Sequence, residues 1–197
     1  MSAAERDKWD ERYRAGAYEQ RTHPTALLAE WLPRLRRGTA LDVGCGAGRN
    51  ALFLAANGYR VDALDISTVG LERGRRAAAE RDLDIRWLCV DLDEPGVTPL
   101  PAATYDLIVW VRYIHRGLMP HLIERLRPGG TLLCEQHLDL ATASDIAGPT
   151  NPAFRLQPGE LLHTAAGLVV LHHHEGATTD PDGRTVLLAQ LVATAPS

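Results

Sequence analysis

The residues best suited to chemistry are three glycines, Gly44, Gly46 and Gly48, between an apolar run at 40–43 and an amphipathic stretch at 49–56. Glycines in such a place let the chain turn sharply and let a ligand contact the backbone, while the start of a helix presents free N–H groups. The segment therefore predicts a loop that binds a nucleotide-like ligand.

Aspartates at three predicted strand ends indicate the kind of nucleotide. Asp42 precedes the glycine loop, where a carboxylate suits a ligand with a positive centre and repels a pyrophosphate. Asp65 ends the next apolar run, from which a carboxylate can accept both hydroxyls of a ribose, and Asp91 follows the third, where it can accept from an adenine amino group. The dinucleotide pattern GxGxxG would need a glycine in place of Arg49, which disfavours a Rossmann oxidoreductase. These residues predict a cationic adenosine ligand.

A second group of polar residues follows the fourth and fifth apolar runs. Arg112, Tyr113, His115 and Arg116 form the densest group, in which two arginines would suit an anionic substrate and His115 could act as a base. The alternative is that Arg116 pairs on the surface while Tyr113 and His115 pack beneath the N-terminal segment. His137 could take a proton from a substrate or only hydrogen-bond a loop. We interpret all five as candidate catalytic residues.

The histidine run and the cysteines give no indication of a metal site. His172 and His174 would face one side of a strand and His173 the other, and no nearby carboxylate or cysteine completes a ligand set. The three cysteines are widely spaced, which favours a reducing compartment. We interpret Cys45 as a small loop residue rather than a nucleophile, because no histidine lies near it in the sequence. We therefore expect no metal ion.

From residue 39 onward, short apolar runs alternate with amphipathic stretches, which is typical of βαβ units around a mostly parallel sheet. The predicted parallel strands are 40–43, 60–64, 85–90, 105–110 and 131–135, and the helices between them are 49–56, 68–81 and 118–126. Near the C-terminal end, a helix at 158–166 precedes strands 168–174 and 185–193, which are too close for a helical crossover and should pair as an antiparallel hairpin. Two N-terminal helices, 4–14 and 25–36, should form a cap. We predict a single domain over 1–197, with a helical cap at 1–38 and a cofactor-binding core at 39–197.

At these positions the sequence resembles the class I S-adenosylmethionine-dependent methyltransferases. The similarity is carried by LDVGCGAGRN, VDALDIS, CVDLDE, YDLIVW and RLRPGGTLLCEQ. Within that superfamily, WDERYRAGAYEQRTHPTALL and FRLQPGEL are similar to segments of the small tellurite-resistance-type methyltransferases, although 178–183 lacks the His-Arg pair associated with their last hairpin. The resemblance implies an α/β, Rossmann-like fold, with a seven-stranded, mostly parallel sheet and one antiparallel strand in a C-terminal hairpin.

The resemblance also implies S-adenosylmethionine as the cofactor and methyl transfer to a small molecule, with a thiol or another soft or anionic nucleophile as the acceptor. The residues expected to contact the cofactor are Asp42, Gly44, Cys45, Gly46, Gly48, Arg49, Asn50, Asp65, Ile66, Asp91, Leu92 and Val111. Arg49 and Asn50 would hold the methionine end, with a plain helix-surface role as the alternative. The alternative function is that of a noncatalytic cofactor-binding or interaction protein with the same fold.

Composition and charge exclude several other classes of protein. The chain has 197 residues, of which 45% are hydrophobic, and its 21 basic and 25 acidic residues give a formal net charge of -4. This balance offers no global field that would attract nucleic acid or an anionic membrane. The charged segment 1–14 lacks the apolar core of a secretory signal, and runs such as 107–111 are far shorter than the roughly 20 residues that span a bilayer. We expect a cytoplasmic protein with a small-molecule partner and no nucleic-acid or membrane partner; the sequence leaves its oligomeric state open.

Overall fold

The computed structural model, which describes residues 3–92, 100–140 and 146–197, is built on one seven-stranded sheet. Its strands are β1 (Thr39–Val43), β2 (Arg60–Asp65), β3 (Ile85–Cys89), β4 (Tyr105–Val111), β5 (Leu126–His137), β6 (Val169–Thr179) and β7 (Thr185–Thr194). Its helices are α1 (Ala3–Arg14), α2 (Ala26–Trp31), α3 (Arg49–Ala56), α4 (Thr68–Ala79), α5 (Met119–Glu124) and α6 (Glu160–Thr164), with short 3-10 turns at Leu32–Arg34 and Pro152–Phe154.

The strand order is β3-β2-β1-β4-β5-β7-β6, and β1 to β5 pair in parallel. Strand β7 pairs antiparallel with both β5 and β6, so β6 runs in the same direction as the first five strands. The α/β fold class and the antiparallel hairpin are thereby confirmed. The reversed strand lies inside the sheet, because β7 is buried along almost its whole length, whereas β6 is largely exposed and forms the edge.

Helices cover both faces of the sheet and bury two apolar cores. Leu107 and Val109 of β4 face the core beneath α2, α3 and α4, while Ile108 and Trp110 face the core beneath α5 and α6. This alternation along β4 follows from the two-residue period of a strand that is covered on both sides. Within the described parts of the chain, no helix is long and apolar enough to cross a membrane.

Several predicted boundaries were wrong for local reasons. Helix α2 ends at Trp31 rather than at residue 36, because Pro33 lacks an N–H and the chain tightens into a 3-10 turn. Helix α5 ends at Glu124, since Leu126 already pairs with Tyr105 as the start of β5. Helix α6 covers only Glu160–Thr164 of the predicted 158–166.

The N-terminal segment is attached to the core at two points. At the first, Asp10 of α1 accepts hydrogen bonds at the start of α4, from Ser67 Oγ at 2.6 Å, Thr68 Oγ1 at 3.0 Å and the backbone N–H of Val69 at 3.2 Å. At the second, Thr25 precedes α2 and donates through its backbone N–H to Asn50 Oδ1 at 3.0 Å. These contacts hold α1 and the following chain over the ends of β1 and β2.

The parallel direction of β1 to β6 brings their carboxyl ends to one side of the sheet, here called the carboxyl edge. In open α/β sheets, ligands bind in the crevice outside these ends, where the strand order reverses. In this sheet the reversal lies between β1 and β4. The carboxyl edge next to β1 and β4 is therefore the place to look for a site.

Candidate active site

The glycine loop follows β1 at the carboxyl edge and has a backbone that only glycine adopts easily. Gly44, Gly46 and Gly48 have left-handed φ angles of 66°, 58° and 77°. A Cβ added to Gly46 would lie 2.2 Å from the hydroxyl oxygen of Tyr13, so α1 lies directly on the loop. The loop therefore needs glycine both for its turns and for the close approach of the N-terminal segment.

Asp65, at the end of β2, holds the glycine loop in place. Its Oδ2 accepts from the backbone N–H of Gly46 at 2.7 Å, and its Oδ1 accepts from the N–H of Ser67 at 2.8 Å. Burial raises the pKa of this carboxyl group, although these two hydrogen bonds oppose the rise. A carboxylate oxygen can accept more than one hydrogen bond, so each oxygen keeps capacity for a ligand hydroxyl. Asp65 therefore fits the ribose of an adenosine cofactor.

Asp42 has a different environment from the one the sequence suggested. Its side chain is fully buried, and its Oδ2 accepts from the N–H of Ala51 at 2.9 Å, in the first turn of α3. Burial raises its pKa to about 7, against the opposing effects of the Ala51 hydrogen bond and the charge of Arg49. The carboxyl group thus stabilises the start of α3, and its contact with a cofactor stays a prediction.

Replacing Asp42 by asparagine should remove a pH dependence of stability. The folded protein holds the Asp42 proton up to about pH 7, whereas an unfolded chain releases it near its ordinary pKa. Ionising the buried group therefore lowers the free energy of unfolding by about 1 kcal/mol between pH 6 and pH 8. Urea unfolding at both pH values should show this loss in the wild type and not in Asp42→Asn, whose side-chain oxygen still accepts from Ala51. Parallel pH profiles for the two proteins would contradict the burial argument.

The other predicted cofactor residues have several environments. Leu92 and Val111 are buried in the apolar cores, and Ile66 is buried as well. Asn50 receives the Thr25 N–H, and Asp91 lies partly exposed after the end of β3. Their contacts with a cofactor stay predictions.

Cys45 and Arg49 are two further residues that were predicted to contact the cofactor. Burial raises the pKa of the Cys45 thiol well above its usual value, with the Asp65 and Asp42 charges adding to the rise. The thiol therefore stays protonated, in keeping with the interpretation of Cys45 as a loop residue. Arg49 donates to the carbonyl oxygen of His23 at 3.4 Å.

Arg112 is the centre of a buried charge cluster rather than a free substrate ligand. Its guanidinium forms two hydrogen bonds to the carboxylate of Asp180, one of them from Nη1 at 2.7 Å, and Nη2 also donates to Glu135 Oε1 at 3.1 Å. Its backbone has a left-handed φ of 57°, which is strained for a residue with a side chain. Arg112 follows β4, Glu135 lies near the end of β5 and Asp180 follows β6. The cluster therefore joins the carboxyl ends of these strands.

Glu135 accepts hydrogen bonds at both of its carboxylate oxygens. Its Oε2 accepts from Thr25 Oγ1 at 2.7 Å and from Gln190 Nε2 at 2.9 Å, in addition to the Arg112 contact. Sequence reasoning missed the roles of Thr25, Gln190 and Asp180. The sequence could have indicated Asp180, because it comes at the end of a predicted strand, as Asp65 and Asp91 do. Nothing in the sequence indicates that Thr25 contacts β5.

The remaining candidate catalytic residues do not converge on one point. Arg116 is half exposed and donates to Glu160 Oε1 at 2.7 Å and to the carbonyl oxygen of Arg155 at 2.9 Å. It therefore forms a surface ion pair, which was the alternative to a catalytic role. His115 lines a separate small cavity beside Arg116. A Cβ on Gly44 would lie 2.7 Å from Tyr113 Cβ, which places Tyr113 on the glycine loop.

His137 is the candidate base with the most strongly altered acidity. Burial lowers its pKa to about 4, and the charges of Arg112 and Arg21 lower it further. The imidazole is therefore neutral at pH 7 and able to accept a proton, but it is a weak base. Whether it acts in catalysis stays a prediction.

The histidine run lies on β6 and makes separate contacts. His172 packs against Trp31 with ring centroids 5.8 Å apart, and His173 lies 3.4 Å from Glu175. Within residues 3–92, 100–140 and 146–197, no group of three or more His, Cys, Asp or Glu side chains is placed to hold a metal ion.

Comparison with known proteins agrees with this arrangement. Residues 40–130 match a family described as a methyltransferase domain. The chain is 34% identical over 132 residues to 27-O-demethylrifamycin SV methyltransferase of Amycolatopsis mediterranei, covering 63% of this chain and 47% of that protein. It is 29% identical over 156 residues to Hemagglutinin 1 of Eikenella corrodens, covering 75% and 51%. The chain thus spans about half the length of these curated relatives.

Among solved structures, the fold is similar to that of TehB from Haemophilus influenzae. The TM-score is 0.71 at 21% identity, over 94% of this chain and 67% of that chain. This likeness shows a shared fold. The glycine loop and the acids at the strand ends agree with the match of residues 40–130, and this part of the chain is similar to methyltransferase domains.

Proposed function

We propose that this protein transfers a methyl group from S-adenosylmethionine to a small molecule, with a thiol or another soft or anionic nucleophile as the acceptor. The observation that carries the proposal is the division of the carboxyl edge into two halves. The glycine loop, Asp65 and Asp91 lie at β1, β2 and β3, and the charged side chains Arg112 and Glu135 lie at β4 and β5. One half fits an adenosine, and the other fits a polar acceptor.

The residues of the first half fit the cofactor in type and place. Asp65 would accept from the ribose hydroxyls, and Asp91 would accept from the adenine amino group. The loop backbone at Gly44 and Gly46 allows close approach, provided that Tyr13 shares or yields the space above Gly46. When bound, S-adenosylmethionine supplies an electrophilic methyl group that is already activated by its sulfonium charge.

The protein's own residues would then align the acceptor and exclude water. Alignment alone can account for roughly 7 to 11 kcal/mol of a barrier to group transfer. Tyr13 is 8% exposed, and Arg73 holds the following chain through hydrogen bonds to the carbonyl oxygens of Tyr13 and Ala17. This segment would close the site over the glycine loop. A thiolate acceptor needs little help from a base near neutral pH, whereas a less acidic acceptor would have to lose its proton to a base, a role open to the neutral His137 imidazole.

A noncatalytic cofactor-binding protein is the second candidate. The observation that favours it is that Arg112 is committed to Asp180 and Glu135 and that Arg116 pairs on the surface. Such a protein would bind the cofactor and would transfer no methyl group to any small nucleophile.

The purified protein should bind S-adenosylhomocysteine and S-adenosylmethionine in preference to NAD, because Arg49 replaces the third glycine of the dinucleotide pattern. Isothermal titration calorimetry with the three ligands measures this preference. Tight NAD binding without a response to either adenosyl ligand would contradict the proposal. Transfer of labelled methyl from S-adenosylmethionine to a panel of small thiols and carboxylic acids separates the enzyme from the noncatalytic alternative.

A further inference from the structure

Helix α4 packs directly against the glycine loop, and a glycine of the helix makes this contact possible. Gly74 is buried in α4, and a Cβ added to it would lie 3.1 Å from the carbonyl oxygen of Ala47 in the loop. Its backbone is that of an ordinary helix, in which alanine is more favourable than glycine. Gly74 is therefore explained by the closeness of the loop and not by the geometry of the helix.

The indole ring of Trp87 fills the space beside Gly74 and beside Gly48, the last glycine of the loop. Trp87 lies on β3 and packs against the core beneath α3 and α4. A Cβ on Gly48 would lie 2.3 Å from Cη2 of this ring, and a Cβ on Gly74 would lie 2.5 Å from the same atom. Nonbonded carbon atoms prefer separations of about 3.5 to 4.0 Å. The outer edge of the ring therefore occupies the places that two side chains would take.

Trp87 thereby joins three elements that carry expected cofactor residues. Gly48 closes the glycine loop at the start of α3, and α4 begins at Thr68, shortly after Asp65. Trp87 itself lies on β3, which Asp91 follows. Protein interiors are closely packed and transmit strain from one element to the next. A change in the size of this ring should therefore alter the spacing of the loop, α4 and β3.

We propose that Trp87 is a positioning residue for the cofactor site, because its ring sets the distance between the glycine loop and α4. It acts through Gly48 and Gly74 and not through contact with the ligand. This inference rests on the proposed binding of S-adenosylmethionine and adds a residue outside the loop and the strand ends to that site. It also gives Gly48 a reason other than the close approach of a ligand, namely the room that the Trp87 ring needs.

The test measures the affinity for S-adenosylhomocysteine by calorimetry, with circular dichroism to verify that each variant is folded. Gly74→Ala should weaken binding about 5- to 50-fold, since the added methyl group overlaps the Trp87 ring and displaces the ring or the loop. Trp87→Phe should weaken binding about 3- to 10-fold, since phenylalanine is too short to fill the space beside the two glycines. The double variant should bind within about threefold of the wild type, because the shorter ring leaves room for the methyl group.

The matched control for the tryptophan is Trp31→Phe. Trp31 ends α2 and packs against His172 of β6, which is the edge strand opposite β3. Its replacement should leave the affinity within about twofold of the wild type, since distant sites act independently. A lower stability alone would shift the midpoint of unfolding and leave the affinity of the folded protein unchanged. Recovery of affinity in the double variant therefore reports the contact between Gly74 and Trp87.

The inference is overturned by wild-type affinity in Gly74→Ala or in Trp87→Phe, or by a double variant that binds no better than Gly74→Ala. A Trp31→Phe variant that weakens binding as much as Trp87→Phe would overturn it too. If Gly74→Ala does not fold, the affinity of Trp87→Phe decides the question. Absence of S-adenosylhomocysteine binding in the wild type would instead refute the proposed function, so the two failures are distinguishable.

Discussion

Replacing Arg112 by methionine should lower the free energy of unfolding by about 3 to 5 kcal/mol, because the change leaves two buried carboxylates without their cation. Asp180 and Glu135 are 6% and 1% exposed, and both receive hydrogen bonds from the Arg112 guanidinium. Methionine fills much of the same volume, so the loss reports the charge cluster rather than a cavity. The midpoint of thermal unfolding should fall by roughly 6 to 20 °C.

The matched control is Arg116→Met, four residues further along the chain. Arg116 pairs with Glu160 while half exposed, so its loss should cost less than about 1 kcal/mol. Denaturant unfolding of both variants, with the circular dichroism of each at low denaturant to verify folding, measures the difference. Equal stabilities for Arg112→Met and Arg116→Met would show that the buried cluster does not stabilise the fold.

The pH dependence of the free energy of unfolding provides a second test of the cluster of Arg112, Asp180 and Glu135. Burial acts to raise the pKa of Asp180, but the hydrogen bonds and charge of Arg112 hold it below its ordinary value. A lowered pKa in the folded state means that this stabilisation is present above the unfolded pKa, about 3.9, and is lost as the pH falls through the folded value. The wild type should therefore lose more stability on acidification below pH 4 than Arg112→Met does.

Replacing Asp65 by asparagine should weaken binding of S-adenosylhomocysteine by about 10- to 150-fold, because a hydrogen bond to a charged group is worth about 1.5 to 3 kcal/mol. Asparagine keeps one oxygen acceptor, so it can retain one of the two bonds to Gly46 and Ser67 that hold the loop. Alanine would remove both bonds, so a loss of affinity could result either from the missing ribose contact or from a change in the loop structure. Calorimetry with the asparagine variant therefore isolates the contact with the ribose.

Asp84→Asn is the control for the loss of one negative charge. Asp84 is exposed and precedes β3 at the opposite edge of the sheet from the glycine loop. Its replacement should leave the affinity for S-adenosylhomocysteine within about twofold of the wild type, since exposed charges this far apart are screened. An Asp65→Asn variant with wild-type affinity would show that Asp65, at the end of β2, does not bind the ribose.

Much of the parallel core could be predicted because its signals are local. Each strand from β1 to β5 is a short apolar run with an amphipathic stretch beside it, and the glycines of the loop mark where the first run ends. The hairpin of β6 and β7 followed from the short chain between them. The sequence could also have indicated that β7, rather than β6, lies inside the sheet. The nearly continuous apolar run of β7 is typical of a strand that is covered on both faces.

The candidate site was harder to predict because its contacts join distant parts of the chain. The hydrogen bond from Thr25 to Glu135 spans 110 residues, and the pair of Arg112 and Asp180 spans 68. Residue type suggested that Arg112 was free to bind an anion, and only the fold shows that Asp180 and Glu135 already occupy it.

A crystal structure of the protein with S-adenosylhomocysteine would show directly whether the glycine loop and Asp65 hold the cofactor. We expect the ribose hydroxyls to donate to Asp65, the adenine to lie beside Asp91, and the sulfur to face the carboxyl ends of β4 and β5. We also expect Tyr13 either to contact the ligand or to move from its place above Gly46. Density for the ligand anywhere other than the glycine loop, or an Asp65 carboxylate with no contact to the ribose, would contradict this binding mode.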